Sequence, residues 1–243
     1  MSTSNENDRD KLLNDFLQKF DLKFKNTKLL NQALCHTSYT NENNLDVSLS
    51  YERLEFLGDA VLKLCISKFL YNDFENYQEG VLTKLRAEAV SDKCIAVWAK
   101  RMGLSELIIL GKNEKKHKGA VKESILACAF EAVLGAIFLE YKTKGLDKAY
   151  NFLIDNFKDD IFEINKNIKT LNPKAILQEY TQSKNHKLPE YITVKEEGLE
   201  HDKTFFVEVK YNNKLIGQGF AKSIKEAQQN AAREGLLNLG VKL

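Results

Sequence analysis

Glu52, Glu55 and Asp59 fall at i, i+3 and i+7 within Tyr51-Glu52-Arg53-Leu54-Glu55-Phe56-Leu57-Gly58-Asp59-Ala60-Val61-Leu62. A helix places all three carboxylates on one face, among apolar residues that read as the inside of the same helix. Like charges at this spacing repel one another. Hard divalent cations prefer clustered carboxylate oxygens, so cation binding is the chemistry the pattern suggests.

The other reactive side chains form no comparable cluster. Cys35, Cys65, Cys94 and Cys128 share no zinc-type spacing and lie in apolar or helical settings. They read as buried free thiols of a reducing cytosol, not as a disulfide framework. His36 has no partner motif and reads as a packing histidine rather than a general base. Lys112, Lys115, Lys116, Lys118 and Lys122 form a basic stretch, open to two readings: a solvated loop or a set of phosphate contacts. The net charge of +2 by itself implies no nucleic-acid partner.

These residues need elements to position them. The 243 residues suffice for one large domain or two smaller ones, and 43% hydrophobic with 29% charged content suits a soluble globular chain. No apolar run approaches membrane-spanning length, and no secretory leader is visible. Residues 1–10 are polar and are expected to fray. From Asp10 to about Ile164 the apolar period is helical, through Leu54, Leu57, Val61, Leu64 and Ile66, then Ile125, Ala129, Val133, Ala136 and Ile137. Both prolines come late, so an all-α bundle is expected here.

Around Asn165 to Asn172 the chain turns polar and reads as a short linker. Pro173 suits a first helical position after Asn172. A helix to Lys184 is followed by alternating segments at Tyr191–Lys195, Phe205–Tyr211 and Leu215–Phe220, with Asn212-Asn213 as a hairpin turn. Ser223-Ile224-Lys225-Glu226 is a capping box that opens a last helix through Leu239. The order α-β-β-β-α predicts a small α+β module with both helices on one face of the sheet.

The opening motif resembles the signature of the ribonuclease III family. Leu29 to Tyr39, with Cys35-His36-Thr37-Ser38, looks like the family's entry helix. Glu79-Gly80-Val81-Leu82-Thr83-Lys84-Leu85-Arg86-Ala87 looks like its next element, and Ser124 to Ala127 with Phe130 to Ala136 like the second half of its site. The C-terminal module resembles a double-stranded-RNA-binding domain through Pro173-Lys174, Leu177-Gln178-Glu179, Gly198, His201, Gly217, Gly219, Ser223, Lys225-Glu226-Ala227 and Ala231-Ala232. The resemblance implies a helical endonuclease domain over 9–164, a linker over 165–171 and an RNA-binding domain over 172–241. It implies metal-assisted hydrolysis of double-stranded RNA by a cytoplasmic homodimer. Products would carry 5′-phosphates and short 3′ overhangs, and ribosomal RNA precursors are the expected substrates.

By the same resemblance, Glu55, Asp59 and Glu131 are ligands of magnesium, or of manganese in its place. Glu52 and Glu79 are accessory acids, and Arg53 orients carboxylates or meets a phosphate. Gln178, Glu179, His201, Lys222, Ser223 and Lys225 would contact the RNA, the helix residues and His201 in successive minor grooves and the lysines at the phosphates between.

Two departures stand out. Cys128 occupies the position of a family aspartate that normally binds metal, and a neutral thiol is a poor ligand for a hard cation. Neighbouring carboxylates disfavour its ionisation. Weakened metal binding is expected, and a catalytically impaired RNA-binding protein is the alternative function. In the second domain, Ile224 follows Ser223 where the family usually has a basic residue, a loss that Lys222 could offset.

Overall fold

The computed structural model describes residues 3–75, 77–116, 121–199 and 202–241. The chain divides into two compact units, Met1–Ile161 and Phe162–Leu243. The first is helical: α1 (Thr3–Lys19), α2 (Lys28–Ala33), α3 (Thr37–Glu42), α4 (Glu52–Asp73), α5 (Glu79–Ala89), α6 (Asp92–Met102), α7 (Leu104–Leu107), α8 (Lys112–Lys116), α9 (Glu123–Glu140) and most of α10 (Gly145–Leu171). The second holds α11 (Pro173–Asn185), β1 (Glu190–Glu197), β2 (Thr204–Tyr211), β3 (Lys214–Ala221) and α12 (Ile224–Asn238).

Helix α9 is apolar on every side, from Ile125 through Ile137, and such a helix must be surrounded. α4 and α6 are its main neighbours. Trp98 of α6, Phe130 of α9 and Phe157 of α10 are buried together, with the Trp98 and Phe157 rings stacked 4.6 Å apart. Each such side chain contributes roughly 2–3 kcal/mol by leaving water. α6 is delimited as its sequence dictates. Ser91 Oγ accepts from Cys94 N–H at the start, and Gly103 ends it in the left-handed region at φ 86°.

The crossing of α4 and α9 is tighter than two ordinary helices allow. A Cβ on Gly58 would lie 1.7 Å from the Glu131 carbonyl oxygen, and one on Gly135 would lie 2.3 Å from the Leu54 carbonyl oxygen. Only glycine at both positions lets the two backbones meet.

Two expectations change. The stretch read as fraying over residues 1–10 is helical from Thr3 onward, where α1 starts, anchored by buried Leu13, Phe16 and Leu17. Those three apolar contacts pin one face, and helix propagates backward from them. Residues 165–171, read as a linker, continue α10 as helix to Leu171. A polar stretch suits a helix as readily as a loop, and Asn165 within it is buried.

The second unit follows the expected order. Its sheet is antiparallel, β1-β2-β3, and Asn212 and Asn213 turn the β2–β3 hairpin at φ 51° and 61°, the pair of positive values a two-residue hairpin requires. Val207 and Val209 face Leu177, Ala227, Ala231, Ala232 and Leu236 in the core. Ser223 Oγ accepts from Glu226 N–H at 3.2 Å and starts α12 as the capping box predicts.

Candidate metal centre and RNA-binding surface

The acids converge where α4 meets α9. α4 buries Leu54, Gly58, Val61 and Leu62 and leaves Glu52, Glu55 and Asp59 along its margin. Glu55, Asp59, Cys128 and Glu131 are all partly buried. The Glu131 carboxyl is pushed up to about 8, first by burial and then by the charges of Asp59 and Glu55. Glu55 is raised by burial as well, with Glu52 and Asp59 adding to the shift. Carboxylates on two helices thus share one field.

Cys128 sits among them. Burial raises its thiol to about 12, and its hydrogen bond to Glu55 adds to the shift. The S–H therefore donates to the Glu55 carboxylate, which steadies that carboxylate in its charged form. Tyr51, buried at the N-terminus of α4, hydrogen-bonds the same sulfur. Tyr51, Cys128 and Glu55 are thus neighbours, with the thiol uncharged.

Three further groups at the centre escape the sequence reading. Asp92, at the first position of α6, contributes charge to Glu55, Cys128 and Glu131. Lys63, one turn beyond Asp59 on α4, places Nζ 2.7 Å from Asp59 Oδ2. Tyr51 is the third. Lys63 was detectable as an i+4 partner of Asp59. Asp92 comes from a distant segment and had no local signal.

Other candidates take different places. Glu79 opens α5, is exposed and accepts from Thr83 Oγ1 at 3.3 Å; it is not among the main charges acting on Glu55 or Glu131. Arg53 is exposed and has no ion-pair partner among the described residues, so it does not orient the carboxylates here. His36 is a packing residue as expected. Its Nδ1 accepts from Ser38 N–H at 3.0 Å, its ring meets Tyr51 edge-on, and burial lowers its pKa. Lys122 pairs with Glu114 at 2.7 Å, while Lys118 lies outside the described residues.

The side chains suit a hard divalent cation in kind. Glu55, Asp59 and Glu131 offer oxygen donors whose mutual repulsion a cation would relieve. Among the described residues, no three His, Cys, Asp or Glu side chains already stand close enough to enclose an ion. The donor set fits in kind, and one of its members, Asp59, is paired with Lys63.

In the second unit, Gln178 is exposed on α11 with Glu179 beside it. Lys222, Ser223 and Lys225 gather at the N-terminus of α12, where backbone N–H groups and the helix dipole favour anions. The Ser223 hydroxyl is engaged as a cap, and Lys222 pairs with Asp202 at 2.7 Å. Lys225 is exposed and makes no ion pair among the described residues. His201 lies outside the described residues.

Residues 26–161 match the family described as Ribonuclease-III-like, and residues 173–239 match the double-stranded RNA binding motif. The chain is 39% identical to a protein named Ribonuclease 3 from Shouchella clausii, across 96% of this chain and 88% of that one. It is 40% identical to Ribonuclease 3 from Borreliella burgdorferi, across 95% and 92%. A crystal structure of the nuclease domain of ribonuclease III from Campylobacter jejuni superposes with a TM-score of 0.54 at 36% identity, covering 61% of this chain and 95% of that one. A second structure of that domain, at TM-score 0.52 and 38% identity over 59% and 96%, concerns flexibility in its region involved in dimer formation.

Proposed function

The chain belongs to the ribonuclease III family, and on that premise we propose that it is an endoribonuclease that hydrolyses double-stranded RNA with a divalent metal ion. The observation that carries this reading is the meeting of Glu55 and Asp59 with Glu131 across the glycine-lined crossing of α4 and α9. There burial and like charge push Glu131 up to about 8. Carboxylates left in this state are donors in want of a cation.

Magnesium, with manganese as a substitute, suits the oxygen donors of Glu55, Asp59 and Glu131. When bound, such an ion neutralises charge on the phosphodiester and makes water a stronger acid at neutral pH. The chain's own residues do the positioning. Cys128, beside Tyr51 and Glu55, is an uncharged neighbour that favours the charged form of Glu55. Glu52 adds negative charge at the rim, and Glu79 serves as an accessory acid from α5. Cys128 supplies neither charge nor a hard donor, so affinity for magnesium is lower than an aspartate there would give.

The second unit selects the substrate. Gln178 and Glu179 of α11 and His201 address minor grooves, while Lys222, Ser223 and Lys225 address phosphates. This reads duplex shape, which suits ribosomal RNA precursors and other structured transcripts. The working unit is a homodimer that cuts both strands and leaves 5′-phosphates with short 3′ overhangs. Phe56, 82% exposed beside the acidic cluster, is an apolar side chain that a second copy would cover. All four cysteines are free, and no helix among the described residues is long and apolar enough to cross a membrane; both facts suit a cytoplasmic enzyme.

Cys128 also favours a second reading, a duplex-binding protein with an impaired nuclease centre. Digestion of a long RNA duplex in magnesium and in manganese separates the two. Cleavage by the unmodified chain supports the nuclease. Retained binding without cleavage in either metal supports the binder.

A further inference from the structure

Resting on the metal reading of this centre, we infer that Lys63 is its resident counter-ion, which a divalent cation must displace from Asp59. Lys63 Nζ lies 2.7 Å from Asp59 Oδ2, on a carboxylate that would help hold the metal. The pair is half exposed, at 52% and 38%, and an exposed i,i+4 pair contributes little to the stability of a fold. Its importance lies in where the ammonium points. Lys63 is also the cation that offsets the repulsion on Glu131, on the facing helix. One ammonium therefore acts on carboxylates from both halves of the centre.

The same centre carries Cys128, an uncharged residue that donates to Glu55. Lys63 and Cys128 thus act in one direction. The thiol leaves the cluster one negative charge short of the family pattern, and the lysine offsets a further one. Both lower the attraction for a divalent cation. Lys63 is accordingly a positioning residue: it competes with the metal for Asp59 and so sets the concentration at which the metal enters.

The test uses the full chain without RNA, titrated with Mn2+ and followed by the electron paramagnetic resonance signal of the free ion. Glu131→Gln identifies binding at this centre. Lys63→Met is expected to tighten Glu131-dependent Mn2+ binding about tenfold, the scale of removing one positive charge some 5 Å from a divalent ion in a watery site. Lys63→Arg is expected to stay within about twofold of the unmodified chain, since the charge remains. Lys68→Met, on the same helix but paired with Asp147, is expected to change nothing. Unchanged or weaker binding in Lys63→Met would overturn the inference while leaving the metal centre intact. Absence of Glu131-dependent binding in every variant would overturn the metal reading and this inference together.

Discussion

Cys128 is the residue on which activity turns. Its thiol, raised to about 12, stays protonated at neutral pH and donates to Glu55. Replacing it with aspartate adds a charged oxygen donor at the meeting of α4 and α9. Cys128→Asp is therefore expected to tighten Mg2+ binding roughly tenfold or more, as calorimetry would measure, and to raise cleavage at low magnesium. No gain would mean that the thiol's role toward Glu55 outweighs its missing charge. Glu131 gives a pH prediction. Its carboxyl rises from an ordinary 4.5 to about 8 in the folded chain, so the folded state binds the extra proton between those values. Without divalent metal, stability then falls as pH rises through that window. Glu131→Gln, a mimic of the protonated form, is expected to flatten this dependence in melting curves taken between pH 5 and 8.5 in chelator. The sequence made Glu52, Glu55 and Asp59 legible because their spacing is local to one helix, while Glu131 was named only through the family resemblance. It did not reveal Asp92 or the bond between Cys128 and Glu55, because those arise only where separate helices meet.

At the scale of elements, the site depends on how closely α4 and α9 approach. Gly58→Ala puts a methyl group 1.7 Å from the Glu131 carbonyl oxygen, so backbone must move. The expected cost is about 3 kcal/mol or more, at the upper end for overpacking, with a loss of metal binding as the helices separate. Chemical denaturation and Mn2+ titration measure the two effects. A stable Gly58→Ala protein with full metal affinity would show that the crossing has more room than this geometry. Ser223→Ala removes the cap of α12 and is expected to cost about 1 kcal/mol in thermal unfolding. Capping box, hairpin asparagines and strand alternation were legible because each is a local pattern, and the α-β-β-β-α order follows from them. The helical nature of residues 165–171 was not, since lysines and asparagines suit a helix as well as a loop. The start of α1 was hidden for the same reason: its first residues are polar, and its anchors at Leu13, Phe16 and Leu17 come later.

For the molecule as a whole, duplex affinity and cleavage belong to different units and should separate by mutation. If Lys225 meets a phosphate as proposed, Lys225→Ala is expected to weaken duplex binding for all sequences alike and to lower the salt slope by about 1. Glu131→Gln leaves that surface untouched. The proposed double-strand-specific ribonuclease requires that carboxylates from α4 and α9 form its cleaving centre. The most direct measurement incubates the unmodified chain and Glu131→Gln with a long RNA duplex, in magnesium and in manganese, while recording duplex binding alongside. The expected result is endonucleolytic cleavage to short duplexes by the unmodified chain, and binding without cleavage by Glu131→Gln. Equal cleavage by both proteins, or binding without cleavage by the unmodified chain in either metal, would contradict it.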